Sequence, residues 1–199
     1  MRVLLTADAV GGVFTYALEL AGALATAGVE PILATEGAPL AAEQRASARA
    51  IPRLVLHESA FRLEWMPEPW ADVAAAGEWL LELERRERPD VVHLDSYAHG
   101  ALPFRAPKVV VGHSCVLSWW EAVKGEPAPR DAWGRYHGSV RAGLAGADAV
   151  VAPSAAMLRA LARHYGPLPR ARVIPNGRSP ERFRPGAKEP FVLAAGRIW

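Results

Sequence analysis

LLTADAVGGVFTYALELAGALATAG, residues 4–28, joins a short apolar run to a long amphipathic one through Ala7-Asp8 and two adjacent glycines. The first run, Arg2 to Thr6, reads as a buried strand. Val13 to Ala27 sets Leu18, Ala21 and Leu24-Ala25 on one helical face, and Gly28 supplies the left-handed stop. A strand turning tightly into such a helix opens a β-α-β unit.

The rest of the chain repeats this alternation. Ile32 to Thr35 and Leu54 to His57 read as the second and third strands, with a polar segment around Gln44-Arg45 between them. An aromatic, proline-bearing loop, FRLEWMPEPW, precedes a helix from Ala71 to Arg88, which Pro89-Asp90 stops. VVHLD and PKVVVGH are the fourth and fifth strands. Helices are expected over Trp119 to Val123 and Ala132 to Leu144. ADAVVAPS is the sixth strand; it enters a helix from Ala155 to His164, with Ser154 as the N-cap. ARVIPNG is the seventh. These strands are continuous apolar runs, so both of their faces are covered, which predicts an α/β fold with a doubly wound, mainly parallel sheet of about seven strands.

Composition agrees with a globular protein. Of 199 residues, 51% are apolar and 22% charged. The formal net charge is +2, which implies no nucleic-acid partner. The densest charged run, Glu84-Arg85-Arg86-Glu87-Arg88, is balanced and reads as a solvated helix end. Cys115 is the single cysteine, so no internal disulfide forms; it reads as a small buried hydrophobe rather than a nucleophile, and a reducing cytoplasm is expected. No apolar stretch approaches the roughly 20 residues that span a bilayer, so any membrane contact is at most peripheral.

In an open α/β sheet, ligands bind beyond the carboxyl ends of the strands. That rim collects Asp8, Gly11 and Gly12; then Asp95, Ser96, Tyr97 and His99; then His113, Ser114 and Trp119-Trp120; then Ser154; then Asn176 and Gly177. The glycine pair lets a ligand approach bare backbone at a helix N-terminus, which suits a phosphate; a tight turn alone accounts for it equally well. A dinucleotide site needs G-x-G-x-x-G and a P-loop needs G-x-x-x-x-G-K-[ST]; neither occurs here. His93, Asp95 and His99 lack a fourth ligand at fixed spacing, so no metal is expected. The tryptophans offer flat faces for a sugar, though core packing is the favoured reading.

Five strings together resemble the N-terminal domain of the retaining glycosyltransferases of family 4 (group 1). They are GGVFTYALELAGALATAG, PDVVHLDSYAHG, VVVGHS, ADAVVAPSAAMLRAL and VIPNGRSPERFRP. The resemblance implies the first half of a two-domain GT-B fold. Residues 1–177 would be a Rossmann-like acceptor-side domain, 178–190 an interdomain linker, and 191–199, FVLAAGRIW, the start of a C-terminal nucleotide-sugar-binding domain. It also implies transfer of a sugar from a nucleotide sugar to a sugar or other small-molecule acceptor, with retention, no metal and no cofactor beyond the donor. By that resemblance His113 is the catalytic-site histidine that contacts the donor sugar. Gly11, Gly12 and Arg197 lie on the donor side. Asp95, Tyr97, His99 and Ser114 are acceptor-side candidates. The isolated chain is expected to be inactive without its partner domain. The family often carries a second charged residue after the fifth-strand histidine; HSCVLSWW is apolar there, which favours an apolar or sugar acceptor over a phosphorylated one. Two other readings are a non-catalytic ligand-binding module and a sugar-nucleotide epimerase of the same fold.

Overall fold

The structure is a computed structural model that describes residues 1–184, 186–192 and 194. Seven parallel strands form one sheet: β1 (Arg2–Asp8), β2 (Glu30–Glu36), β3 (Val55–Glu58), β4 (Val91–Leu94), β5 (Lys108–Val111), β6 (Ala149–Ala152) and β7 (Ala171–Val173). Their order across the sheet is β3-β2-β1-β4-β5-β6-β7. The helices are α1 (Gly12–Thr26), α2 (Ala42–Arg49), α3 (Trp70–Glu87), α4 (Val116–Lys124), α5 (Arg130–Gly146) and α6 (Ala155–Tyr165). This is the predicted doubly wound α/β architecture, with both faces of the sheet covered.

Alternation along the strands sends side chains to two cores. Val3, Leu5, Ala7 and Leu33 pack with Phe14, Ala17 and Ala21 of α1 and Ala48 of α2. On the other face Leu4, Ile32, Ala34, Val92 and Leu94 pack with Leu80 and Leu83 of α3 and Tyr136, Val140 and Leu144 of α5. The buried stripe of α1 thus runs through Phe14, Ala17, Ala21 and Ala25; Ala21 and Ala25 belong to the face expected from the sequence, while Leu18 and Leu24 pack at its margin, partly buried.

Several elements depart from the expected boundaries. β1 and β2 run on to Asp8 and Glu36, whose register pairs them, so both carboxyl-bearing residues end their strands at the rim. The polar segment around Gln44 is a helix, α2, with only Ala48 buried; so narrow an apolar stripe leaves little periodic signal. The Gln44 amide donates to the Ala9 carbonyl at 3.1 Å and so steadies the turn after β1. α4 begins three residues earlier than expected, because the Cys115 sulfur accepts the Ser118 N–H and caps it. Ser154 caps α6 as predicted, accepting the Met157 N–H at 3.1 Å.

Past β7 the chain turns back to α1. The Ser179 N–H donates to Glu19 at 3.2 Å, and Arg178 lies 3.6 Å from the same carboxylate. A 3-10 turn (Pro180–Arg182) follows. Phe191 and Val192 are exposed and outside any strand. The remainder of the strand expected in FVLAAGRIW, Ala194 apart, lies outside the described residues.

Candidate functional site

The strand order reverses direction between β1 and β4, and the crevice beyond their carboxyl ends is where such a sheet holds ligands. Asp8 closes the turn after β1 by accepting the Val10 N–H at 2.6 Å. Gly11 adopts φ 150°, ψ −154°, a region glycine alone enters readily. Gly12 is held by neither conformation nor packing, since a Cβ built there meets nothing within 4 Å. The N-terminus of α1 carries no side-chain cap bond, so its first N–H groups and positive dipole end face open space. Gly11, Gly12 and Val13 form one edge of a pocket of about 420 Å³.

A second group stands at the ends of β4 and β5. The Asp95 N–H donates to the Thr6 hydroxyl at 2.9 Å, tying this segment to β1. His113 Nε2 lies 3.1 Å from Asp95 Oδ1; the Asp95 side chain is 2% exposed and that of His113 14%. An Asp95 carboxylate requires the proton on Nε2, which leaves Nδ1 of a neutral ring as acceptor. The Tyr16 ring from α1 meets the His113 ring edge-on, with centroids 4.4 Å apart. Its hydroxyl lies 3.2 Å from His93 Nε2. Burial, aided by the Asp95 charge, pushes the Tyr16 phenol up to about 12. Burial lowers the pKa of His93, which favours its neutral form. Asp95 Oδ2 and His93 Nδ1 are buried without a hydrogen-bond partner.

Behind this group lies a buried set of polar side chains. Glu64 accepts the Tyr97 N–H at 3.1 Å and the Ala98 N–H at 2.8 Å, and the Ser96 hydroxyl sits 3.4 Å away. The Tyr97 hydroxyl donates to the Ser114 carbonyl at 2.9 Å. His99 Nε2 donates to the Val73 carbonyl at 3.0 Å, while its Nδ1 faces Glu36 Oε1 at 3.6 Å. Burial pushes the carboxyls of Glu36 and Glu64 upward; the Ala98 N–H, His99 and the Tyr97 N–H pull Glu64 partly back.

The structure therefore separates the residues grouped from the sequence. It brings Gly11, Gly12 and Ser114 to the pocket and sets His113 on Asp95 beside it. Tyr97 and His99, 3% and 2% exposed, point inward and brace the loops rather than line the pocket. Asn176 and Gly177 are exposed, and Arg197 lies outside the described residues. Glu64 and Tyr16 carried no sequence motif; an acidic residue amid the apolar LEWM was the one available signal.

The far wall of the pocket is aromatic. Trp65, Trp119, Trp120 and Trp133 line it with Val10, Val116 and Tyr136. Trp119 and Trp120 meet at 76° with centroids 6.3 Å apart, and Trp120 and Trp133 at 62° and 6.3 Å. Core packing and a ligand wall coexist here: Trp133 packs on the core cluster from one side and lines the pocket from the other. Cys115 is buried under this wall as the cap of α4. Among the described residues no group of three or more His, Cys, Asp or Glu side chains is placed to hold a metal ion. No described helix is long and apolar enough to cross a membrane.

A family model described as Glycosyltransferase Family 4 matches residues 10–182. No curated protein matches the sequence. Among solved structures, a glycosyltransferase from Rickettsia africae is 18% identical with TM-score 0.62, over 92% of this chain and 46% of its own. Anabaena HepE in complex with UDP is 12% identical with TM-score 0.58, over 88% of this chain and 44% of its own. A UDP-N-acetylglucosamine 2-epimerase is 14% identical with TM-score 0.51, over 87% of this chain and 47% of its own. The chain thus spans about half the length of these neighbours, and the likeness is one of fold.

Proposed function

The chain belongs to glycosyltransferase family 4, and on that premise we propose that it is the acceptor-side lobe of an enzyme that moves a sugar from a nucleotide sugar to an acceptor hydroxyl, with retention and without a metal. The observation that carries the reading is the uncapped N-terminus of α1 behind the bare Gly11–Gly12 backbone, opening on a pocket beside the Asp95–His113 pair. Transfer breaks the bond between the anomeric carbon and the diphosphate oxygen and forms one to the acceptor oxygen on the same face, the acceptor's hydroxyl proton passing to the departing diphosphate oxygen. Negative charge grows on the departing diphosphate, and free N–H groups at a helix start stabilise such charge without reorganising. Asp95 fixes the tautomer and orientation of His113, which contacts the donor sugar. Tyr97 fixes the Ser114 backbone, and Ser114 meets the acceptor. Arg197 grips the diphosphate from the other lobe.

Residues 1–177 form the acceptor-side domain, 178–190 the linker, and 191–199 the start of the nucleotide-binding domain. The exposed apolar side chains Val173, Ile174, Phe183, Phe191 and Val192 support a covering lobe at this end. The neighbour structure holding UDP supports a nucleotide-sugar donor, and the lone cysteine supports a cytoplasmic setting. The chain alone is expected to show no transfer. A panel of nucleotide sugars incubated with the two-lobed enzyme tests the reading, with the anomeric proton coupling of the product read by NMR. Product with the donor's configuration is expected; an inverted product, or release of the sugar as an epimer, contradicts it.

A further inference from the structure

The pocket wall says more about the acceptor than the family does. Among the described residues its lining holds no lysine or arginine, and its one charged side chain is the Asp8 carboxylate. Glu36 and Glu64 lie buried behind the same rim, close enough to Asp8 or to one another for their charges to interact. In this reading the α1 N-terminus serves the donor diphosphate, so a phosphoryl group on the acceptor would leave water at the aromatic wall with no cation left to meet it and with the Asp8 carboxylate nearby. The polar atoms of the lining are also largely engaged. Asp8 Oδ1 takes the Val10 N–H, the Cys115 sulfur takes the Ser118 N–H, and the Tyr136 hydroxyl takes the Val116 N–H at 3.3 Å. A free sugar, with hydroxyls around its whole ring, finds polar partners at the Gly11–Gly12 and Ser114 edge but none along the indole faces. Four indoles supply the opposite: flat apolar area, set in a corner by ring pairs at 76° and 62°. The Trp120 indole N–H is buried without a partner, one donor able to meet a single oxygen.

Resting on the transferase reading above, we infer that the acceptor is an uncharged hydroxylated aromatic compound, its ring held by Trp65, Trp119, Trp120 and Trp133 and its hydroxyl directed to the Gly11–Gly12 edge. The same wall disfavours phosphorylated and free-sugar acceptors.

Calorimetric titration of the chain with 2-naphthol, 2-naphthyl phosphate and methyl glucoside tests this. Saturable binding of 2-naphthol is expected, with the phosphate and the glucoside each at least 10-fold weaker. Trp119→Ala should weaken 2-naphthol at least 5-fold. Trp65→Ala, at a site 44% exposed, should do the same with an unchanged melting temperature, and it stands in if the first variant does not fold. Equal or tighter binding of the phosphate or the glucoside overturns the inference. So does no saturable binding of 2-naphthol, or no loss in a folded tryptophan variant. Release of nucleoside diphosphate from a nucleotide sugar by the two-lobed enzyme, with water taking the sugar in place of an acceptor, tests the transferase reading separately. Release accompanied by a preference for phosphate sinks the acceptor class alone.

Discussion

Replacing Gly143 by alanine should loosen the rim at its root. Gly143 lies in α5 where the helix crosses the segment after β4, and a Cβ there would sit 1.7 Å from the Tyr97 carbonyl oxygen and 2.7 Å from its carbon. Ordinary contact begins near 3.4 Å, so helix and loop must part by well over an ångström. Both sides of the clash are backbone, and no rotamer relieves it. Overpacking costs about 1–3 kcal/mol and at times more, while alanine returns about 0.8–1 kcal/mol of helix propensity. A net loss of up to about 2 kcal/mol follows, which lowers the melting temperature of a chain this size by up to about 8 °C. Gly138, in the same helix, has nothing within 4 Å of its built Cβ. Gly138→Ala gains the propensity without the clash, so it should stabilise by up to about 1 kcal/mol. Urea unfolding followed by far-ultraviolet circular dichroism, with unchanged slope, reads both. Shifts of the same sign in the two variants would refute the reasoning.

Two further outcomes concern the buried titratable groups. Asp95→Asn removes one of the two causes that hold the Tyr16 phenol at about 12, so phenolate absorbance should appear at lower pH, though still above the ordinary value because burial remains. Since the folded-state value is the raised one, the stability linked to Tyr16 is whole below about pH 10 and lost as pH climbs to about 12. Glu36 is raised by burial as well, so its protonated form stabilises the fold at low pH and that contribution is lost as pH climbs through the raised value. Glu36→Gln keeps the neutral shape and offers an N–H to His99 Nδ1; thermal melts should show no difference from the parent in acid and a growing advantage toward neutral pH.

Continuous apolar strands, capped helices and turn glycines were legible because each is a local property of the chain. The seven strands and the doubly wound sheet followed from them. α2 was missed because its eight residues bury one alanine, which leaves no period to detect. At the site, the bare glycine turn and the His113 position could be read from strand ends alone. What could not be read was which rim residues turn outward. Tyr97 and His99 sit on a 3-10 turn and its entry, and that turn faces them into the core, where the Ser114 and Val73 carbonyls accept their protons. Glu64 comes from a loop with no periodicity and reaches the same turn across 34 residues of chain to cap Ala98, a contact only tertiary structure creates. Trp119, Trp120 and Trp133 were visible as a cluster, but whether they filled a core or walled a pocket depended on how the tertiary fold brings Trp120 of α4 to Trp133 of α5.

The account stands most directly on diphosphate release from the nucleotide sugar by the two-lobed enzyme and its Gly12→Val variant. A valine at 12 meets no protein atom within 4 Å of its Cβ, so the fold should hold while the side chain fills the space in front of α1. The account predicts a fall in kcat/KM of at least 100-fold, with the melting temperature unchanged. Turnover within a fewfold of the parent would mean that the activated sugar does not lie against that backbone, and would contradict it.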